Sequence, residues 1–390
     1  MSLPGKSAEA RENIAEALKD SVLLKDAKTF YVAGKIEANE YQEALKKLSI
    51  NRNDPNVDKV AMADALMAAV KYYRLAMALD TVIDSKGNVK THYSQQLYDW
   101  INSQIPQFYN SGIAYLNKKR YYPQAYQAFT EYAESPLSYP EGSQFTAITD
   151  SARANAYFYA GVMAFNAGEY AVSAESFRNA RAYNYPRKEV IINEMICYKQ
   201  MADADSSFTP EATLNITLLG KEGIKKFGIK PPVFLQKFVG GAIRSGETNE
   251  AYAVVDSLLT LYPEAASLLR SLRAELLLAK KDTLGATTDY RMAAEDSAAL
   301  FQTLLETSRL MAKEGIRELS QITGTNKAAR KKSKEIKNSW LIPARQFAER
   351  AKLVANKREG IYGELTDEEI EMMIADLDNI LATIDYNLLQ

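Results

Sequence analysis

The apolar positions of this chain recur at three- and four-residue intervals almost from end to end, the spacing of helices that bury one face. Between residues 251 and 293 the pattern also repeats at longer range. Ala251, Val255 and Leu258 return as Ala286, Tyr290 and Ala293, each 35 residues further on. A unit of that length cannot cover its apolar stripe alone, so the pattern predicts helix pairs stacked around a continuous core. No segment alternates in the manner of a half-buried strand.

Residues 8–20, 26–39 and 41–48 predict helices, and the turn-rich stretch 51–56 breaks the chain. Val60, Ala63, Met67, Ala68, Tyr72, Leu75 and Leu79 mark a packed helix over 57–79. A polar turn at 84–89 precedes a helical stretch over 93–117, which Pro106 should kink or restart. In the next pair Gly112 and Tyr115 lie on a first helix, with Ala125, Phe129 and Tyr132 on its partner. Residues 135–150 hold two prolines and a glycine and read as an irregular insertion.

The pair over 154–186 has the plainest pattern of the first half. Gly161 permits close helix approach, Gly168 turns the chain, and Ser173, Phe177 and Ala180 form the second-helix face before Pro186. A weaker pair covers 188–227, where Thr209 should cap a helix with Pro210 in its first turn. Pro231-Pro232 opens a pair that turns at Gly246, and a further pair keeps Ala274 and Leu277. From residue 297 longer helices rich in Lys and Glu are predicted over 301–322 and 326–358. Thr366 to Glu369 read as a capping box for a last helix striped by Ile370, Met373, Ile374 and Leu377.

The small residues, turn glycines and closing prolines of these pairs resemble the tetratricopeptide repeat. The likeness is specific over 157–186, 233–263 and 268–298, fair over 106–132, and degenerate over 28–48. It implies an all-α, right-handed α-solenoid of helix pairs closed by long C-terminal capping helices. Three regions follow: an N-terminal helical region with a degenerate repeat (1–105), the repeat array (106–298) and the cap (299–390). The whole chain also resembles a family of exported tetratricopeptide proteins of Gram-negative bacteria. That likeness is carried by Thr29–Glu37, Lys86–Tyr93 and the long C-terminal helices. It implies a periplasmic or outer-membrane-associated location, with the export signal absent from this sequence and membrane association through a missing lipid anchor.

Composition narrows the function classes. Forty-eight basic and 49 acidic residues leave a net charge of −1, without the positive field that nonspecific nucleic-acid binding needs. No apolar run approaches the roughly 18 residues of a membrane-spanning helix. Catalytic chemistry is sparse. His92 is the sole histidine and reads as an exposed loop residue, while Cys197, the sole cysteine, reads as a buried thiol beside Met195 and Tyr198. Gly220–Gly223 lacks the frame of a phosphate loop, and Asn215-Ile216-Thr217 is a chance sequon. Arg330, Lys331, Lys332 and Lys334 form the one basic cluster, read as a solvated face, with contact to anionic lipid as a lesser alternative. No catalytic residue, metal or cofactor is expected.

What remains is binding. The repeat register places Tyr109, Asn117, Phe158, Phe165, Asn166, Gln236 and Arg244 on a concave groove, beside Ile113, Val162 and Ile243. The expected role is a non-enzymatic scaffold that docks a peptide or protein segment, and the alternative is glycan or small-molecule capture by a tyrosine-rich groove. Tetratricopeptide repeats that clamp carboxylates use lysine and asparagine. The matching positions here hold Tyr109 and Ile113, then Phe158 and Val162, so binding of chaperone tails is not expected.

Overall fold

Several helices of this chain start where a side chain can accept from their free first-turn amides. Asp58 accepts from the amides of Val60 and Ala61, Thr149 from Ala152, Asp282 from Gly285 and Asn326 from Ala329. A computed structural model describes residues 6–52, 54–83, 89–116, 118–134, 147–356 and 367–390. They are built almost wholly of helices, as the apolar spacing requires, in two units, Met1–Asn215 and Ile216–Gln390. The region boundaries expected at 105/106 and 298/299 each lie within a unit.

The first unit holds α1 (Lys6–Ala17), α2 (Ala27–Ile50), α3 (Lys59–Leu79), α4 (Ser94–Ser103) and α5 (Ile105–Tyr115). It continues through α6 (Tyr122–Glu134), α7 (Asp150–Asn166), α8 (Tyr170–Ala182), α9 (Glu189–Ala204) and the start of α10 (Thr209–Phe227). Each of α2–α3, α5–α6 and α7–α8 is a packed pair, and α3 packs on α5 and α6 on α7. One apolar cluster runs through them, from Phe30 and Tyr41 through Leu66, Ile105 and Phe108 to Phe129 and Met163. A fully buried side chain of this size stabilises the fold by about 1.5–3 kcal/mol.

In these three pairs a glycine on the first helix faces an aromatic ring from the second. A Cβ added to Gly34 would stand 2.4 Å from Cδ1 of Tyr73, one on Gly112 2.6 Å from Cε1 of Phe129, and one on Gly161 2.8 Å from Cε1 of Phe177. Absence of a side chain lets the ring lie against the helix backbone. Gly168 takes φ +84° in the turn between α7 and α8, a conformation that suits glycine.

Four local expectations are corrected. The two helices expected over 26–39 and 41–48 form one, α2, because Ala38 and Tyr41 prolong the buried face of Phe30 and Ala33 and neither Gly nor Pro stands at the expected break near residue 40. The first pair is therefore α2 with α3. The chain also contains a strand pair, β1 (Val82–Ile83) with β2 (Val89–Lys90), antiparallel and too short for alternation to reveal. Thr209 is itself helical, and the side-chain cap belongs to the short 3-10 turn before it, Ser206–Phe208, where Asp205 accepts from the amide of Ser207. The helix read over 326–358 divides into α16 (Lys327–Ile336), a π-helical turn (Lys337–Leu341) and α17 (Ile342–Asn356). Pro343 explains the turn, since it has no amide for the α-helical ladder and its ring crowds the preceding turn. Pro106 does restart the chain, with a break at Gln104 between α4 and α5. The capping-box residue Thr366 lies outside the described residues.

The second unit contains α11 (Val233–Ser245), α12 (Thr248–Leu261), α13 (Ala266–Ala279), α14 (Thr283–Ala294), α15 (Phe301–Ser320), α16, α17 and α18 (Asp367–Leu389). All six positions of the 35-residue echo are buried, three on α12 and three on α14. Arg273 of α13 ties these helices together, forking to Asp289 at 2.6 and 2.7 Å and also pairing with Asp256. In the C-terminal cap Leu304 and Leu305 of α15 meet Phe347, Ala348 and Ala351 of α17 and Leu377 and Ile384 of α18.

Candidate functional site

A furrow of the first unit lies between α2, α3 and α5. Its volume is about 490 Å³. Helical spacing creates the walls: Tyr41, Leu45 and Leu48 come from α2, Lys59, Met62 and Ala63 from α3, and Gln107, Asn110 and Ala114 from α5. Ile113 stands at the edge with 45% of its surface exposed. Tyr41 is only 1% exposed, and its hydroxyl finds no hydrogen-bond partner. Burial pushes that hydroxyl's pKa up to about 12, which keeps it protonated and able to donate. The amide of Asn110 donates to the side-chain oxygen of Gln107 at 2.9 Å, and both residues line the furrow. This combination of apolar walls and a few directed polar groups is the make-up of a ligand-binding cleft.

The sequence-predicted groove residues are distributed differently. Tyr109, one turn before Ile113 on α5, packs edge-on against Phe129, Tyr132 and Tyr159 at centroid distances of 5.3, 5.3 and 6.3 Å. Burial, then the neighbouring hydroxyls of Tyr159, Tyr132 and Tyr185, raise its pKa. Phe158 lies flat on Tyr185, 4.4 Å away and 8° from parallel, and also meets Tyr159. Tyr159 thus joins Tyr109 and Phe158 into one aromatic group, each ring half-buried. Phe165 packs edge-on against Tyr170 at 5.3 Å, while Asn166 is exposed. Asn117 lies outside the described residues. Gln236 is half-buried and Arg244 exposed on α11, in the second unit. Tyr41, Met62 and Gln107 were not among the predicted groove residues. Tyr41, Leu45 and Leu48 were legible as an i, i+4, i+7 stripe, but that spacing serves a core face equally well.

Other reactive groups have structural roles. Cys197 is buried and donates to the Ser173 hydroxyl at 3.2 Å, and burial pushes its thiol up to about 11. His92 is exposed, with its ring 6.3 Å from that of Tyr93 and its backbone amide donating to Asp80. Asp80 is 2% exposed and accepts from the amides of His92, Tyr93 and Ser94 and from the Ser94 hydroxyl at 2.6–2.9 Å. Burial alone would raise its pKa, but these four bonds outweigh that and hold it below the usual carboxylate value. Glu275 of α13 is pushed up to about 7, first by burial and then by Glu306. Among the described residues no three His, Cys, Asp or Glu side chains gather closely enough to hold a metal ion. No described helix is long and apolar enough to cross a membrane.

The fold and this furrow define an all-α protein of stacked helix pairs. No family model matches the chain, and neither does any curated protein sequence. Among solved structures it is similar to the TPR2AB-domain:pHSP90 complex of yeast Sti1, at 14% identity and a TM-score of 0.26, covering 88% of this chain and 99% of that one. It is also similar to a circular tandem repeat protein with novel repeat topology, at 13% identity and a TM-score of 0.20, covering 98% of this chain and 90% of that one. Likeness at this level carries no functional weight.

Proposed function

We propose that this chain is a non-enzymatic scaffold that docks a peptide or protein segment along its first-helix surface. The reading rests on one observation: the α2–α5 furrow offers apolar walls beside the side-chain amides of Gln107 and Asn110. An apolar side chain of the partner occupies the furrow between Leu45, Met62 and Ile113, while its backbone carbonyl accepts from the Gln107 amide. Such a preformed cleft anchors a partner without ordering cost on the scaffold side. The half-buried rings of Tyr109 and Phe158 extend the surface beyond the anchor, and Phe165 and Asn166 continue it along α7. We also place the protein in the periplasm or at the outer membrane, a reading supported by the likeness of Thr29–Glu37 and Lys86–Tyr93 to exported tetratricopeptide proteins.

Panning a displayed random-peptide library against the full chain tests the scaffold reading, with affinities then measured by fluorescence polarisation. Peptides with a large apolar anchor are expected, and Ile113→Glu with Met62→Glu should weaken them by about tenfold or more. A glycan array run in parallel separates the classes. Glycan binding without peptide enrichment refutes the proposal, as does peptide binding that survives both the furrow pair and Tyr109→Ala with Phe158→Ala.

A further inference from the structure

The second unit carries a cavity of about 710 Å³ between the end of α15, the start of α16 and the end of α18. Its basic wall comes from one helical face. Arg330, Lys334 and Lys337 follow at i, i+4 and i+7, with Ser333 between them. No acidic side chain lines the cavity. Arg330 and Lys334 have no side-chain ion pair or hydrogen bond among the described residues, whereas the adjacent Lys331 is 3.9 Å from Glu335. Lys337 opens the π-helical turn and reaches the carbonyl of Leu388 at 3.2 Å. The rest of the lining is mixed: Ile316 and Leu319 of α15 and Ile322 are apolar, beside Ser320, Thr325, Asn387 and Gln390.

Three like charges on one wall repel each other unless an anion joins them. Apolar side chains sharing a cavity with such a wall favour a ligand that is charged at one end only. We infer that this cavity binds a phosphate ester bearing an apolar substituent. The phosphate oxygens meet Arg330 and Lys334 in charge-assisted bonds, with the Ser333 hydroxyl donating a third, and the substituent lies on Ile316 and Leu319. A phospholipid headgroup and a soluble phosphoester share this chemistry. The π turn, a feature often found at functional sites, begins at Lys337, in the wall itself.

The test is calorimetric titration of the full chain with monomeric dihexanoyl phosphatidylglycerol, its phosphatidylcholine counterpart and inorganic phosphate. Saturable binding of the anionic amphiphile is expected. It should weaken by about tenfold or more in Arg330→Gln with Lys334→Gln, and fall with rising ionic strength. The thermal transition of that exposed double variant should stay in place. Flotation with vesicles containing phosphatidylglycerol identifies a lipid headgroup as the source, and monomer binding without flotation identifies a soluble phosphoester. No saturable binding, equal binding of the choline lipid, inorganic phosphate matching the amphiphile, or indifference to the double variant would each overturn the inference.

Discussion

Glu275→Gln should make the second unit more stable, and only on the alkaline side. Glu275 and Glu306 face each other from α13 and α15. Glu306 accepts from Arg309 at 2.6 Å, which favours its charged form, whereas Glu275 has no cation among the influences on it. The folded chain therefore keeps the Glu275 proton up to about pH 7, against an ordinary value of 4.5. Below 4.5 the group is protonated folded and unfolded, so it costs nothing. As pH rises from 4.5 to about 7 the unfolded chain releases the proton first, stability falls, and above that window the penalty is complete. An interval of 2.5, that is 7 − 4.5, corresponds to about 3 kcal/mol as an upper bound. Glutamine removes the penalty while keeping the side-chain shape. The assay is urea unfolding followed by Trp340 fluorescence in a Trp100→Phe background, at about pH 4 and about pH 8.5, which bracket the window. A gain of about 2–3 kcal/mol at the higher pH and little change at the lower is expected. Equal shifts at both pH values, or a loss at pH 8.5, would refute the linkage.

Two further outcomes follow from the first unit. Asp80→Ala strands three backbone amides at the start of α4 and should cost about 2–4 kcal/mol in denaturant titrations at neutral pH. Because its folded pKa is lowered, Asp80 stabilises above the unfolded value, and its contribution is lost as pH falls below that value toward the folded one. The gap between wild type and variant should therefore narrow in acid, and a constant gap would exclude the charged acceptor as its cause. Gly161→Ala sets two effects against each other: alanine favours a helix by about 1 kcal/mol, while overpacking costs about 1–3 kcal/mol. With the new Cβ 2.8 Å from a Phe177 ring that is itself 1% exposed, overpacking wins and the melting temperature drops. A rise would show that the ring has room to move.

The array was legible because its causes are local. Glycine at 112 and 161 and small residues at 125, 251 and 286 leave a periodic trace in the sequence, and all are buried at helix contacts. What escaped was set by partners distant in sequence. Whether Tyr41 belongs to a core or a cleft depends on α5, more than sixty residues later. Tyr109 and Phe158 look alike in register whether they face a groove or pack on neighbouring rings, and Tyr159, which touches both, occupies no repeat-defining position. The basic wall was visible only as a basic run, since Ile316 and Leu319, which share its cavity, lie on a different helix. Asp80 left no trace as a helix-start acceptor because its donors begin twelve residues downstream.

The match of a bare helix position with a ring from the adjoining helix is completed inside each hairpin. Gly34 with Tyr73, Gly112 with Phe129 and Gly161 with Phe177 are all solved within the segment that encodes them. A lineage carrying such hairpins can lengthen or shorten by whole copies, because every duplicate arrives with both halves of its lock. Exchange of single helices between hairpins, by contrast, demands that hole and ring change together.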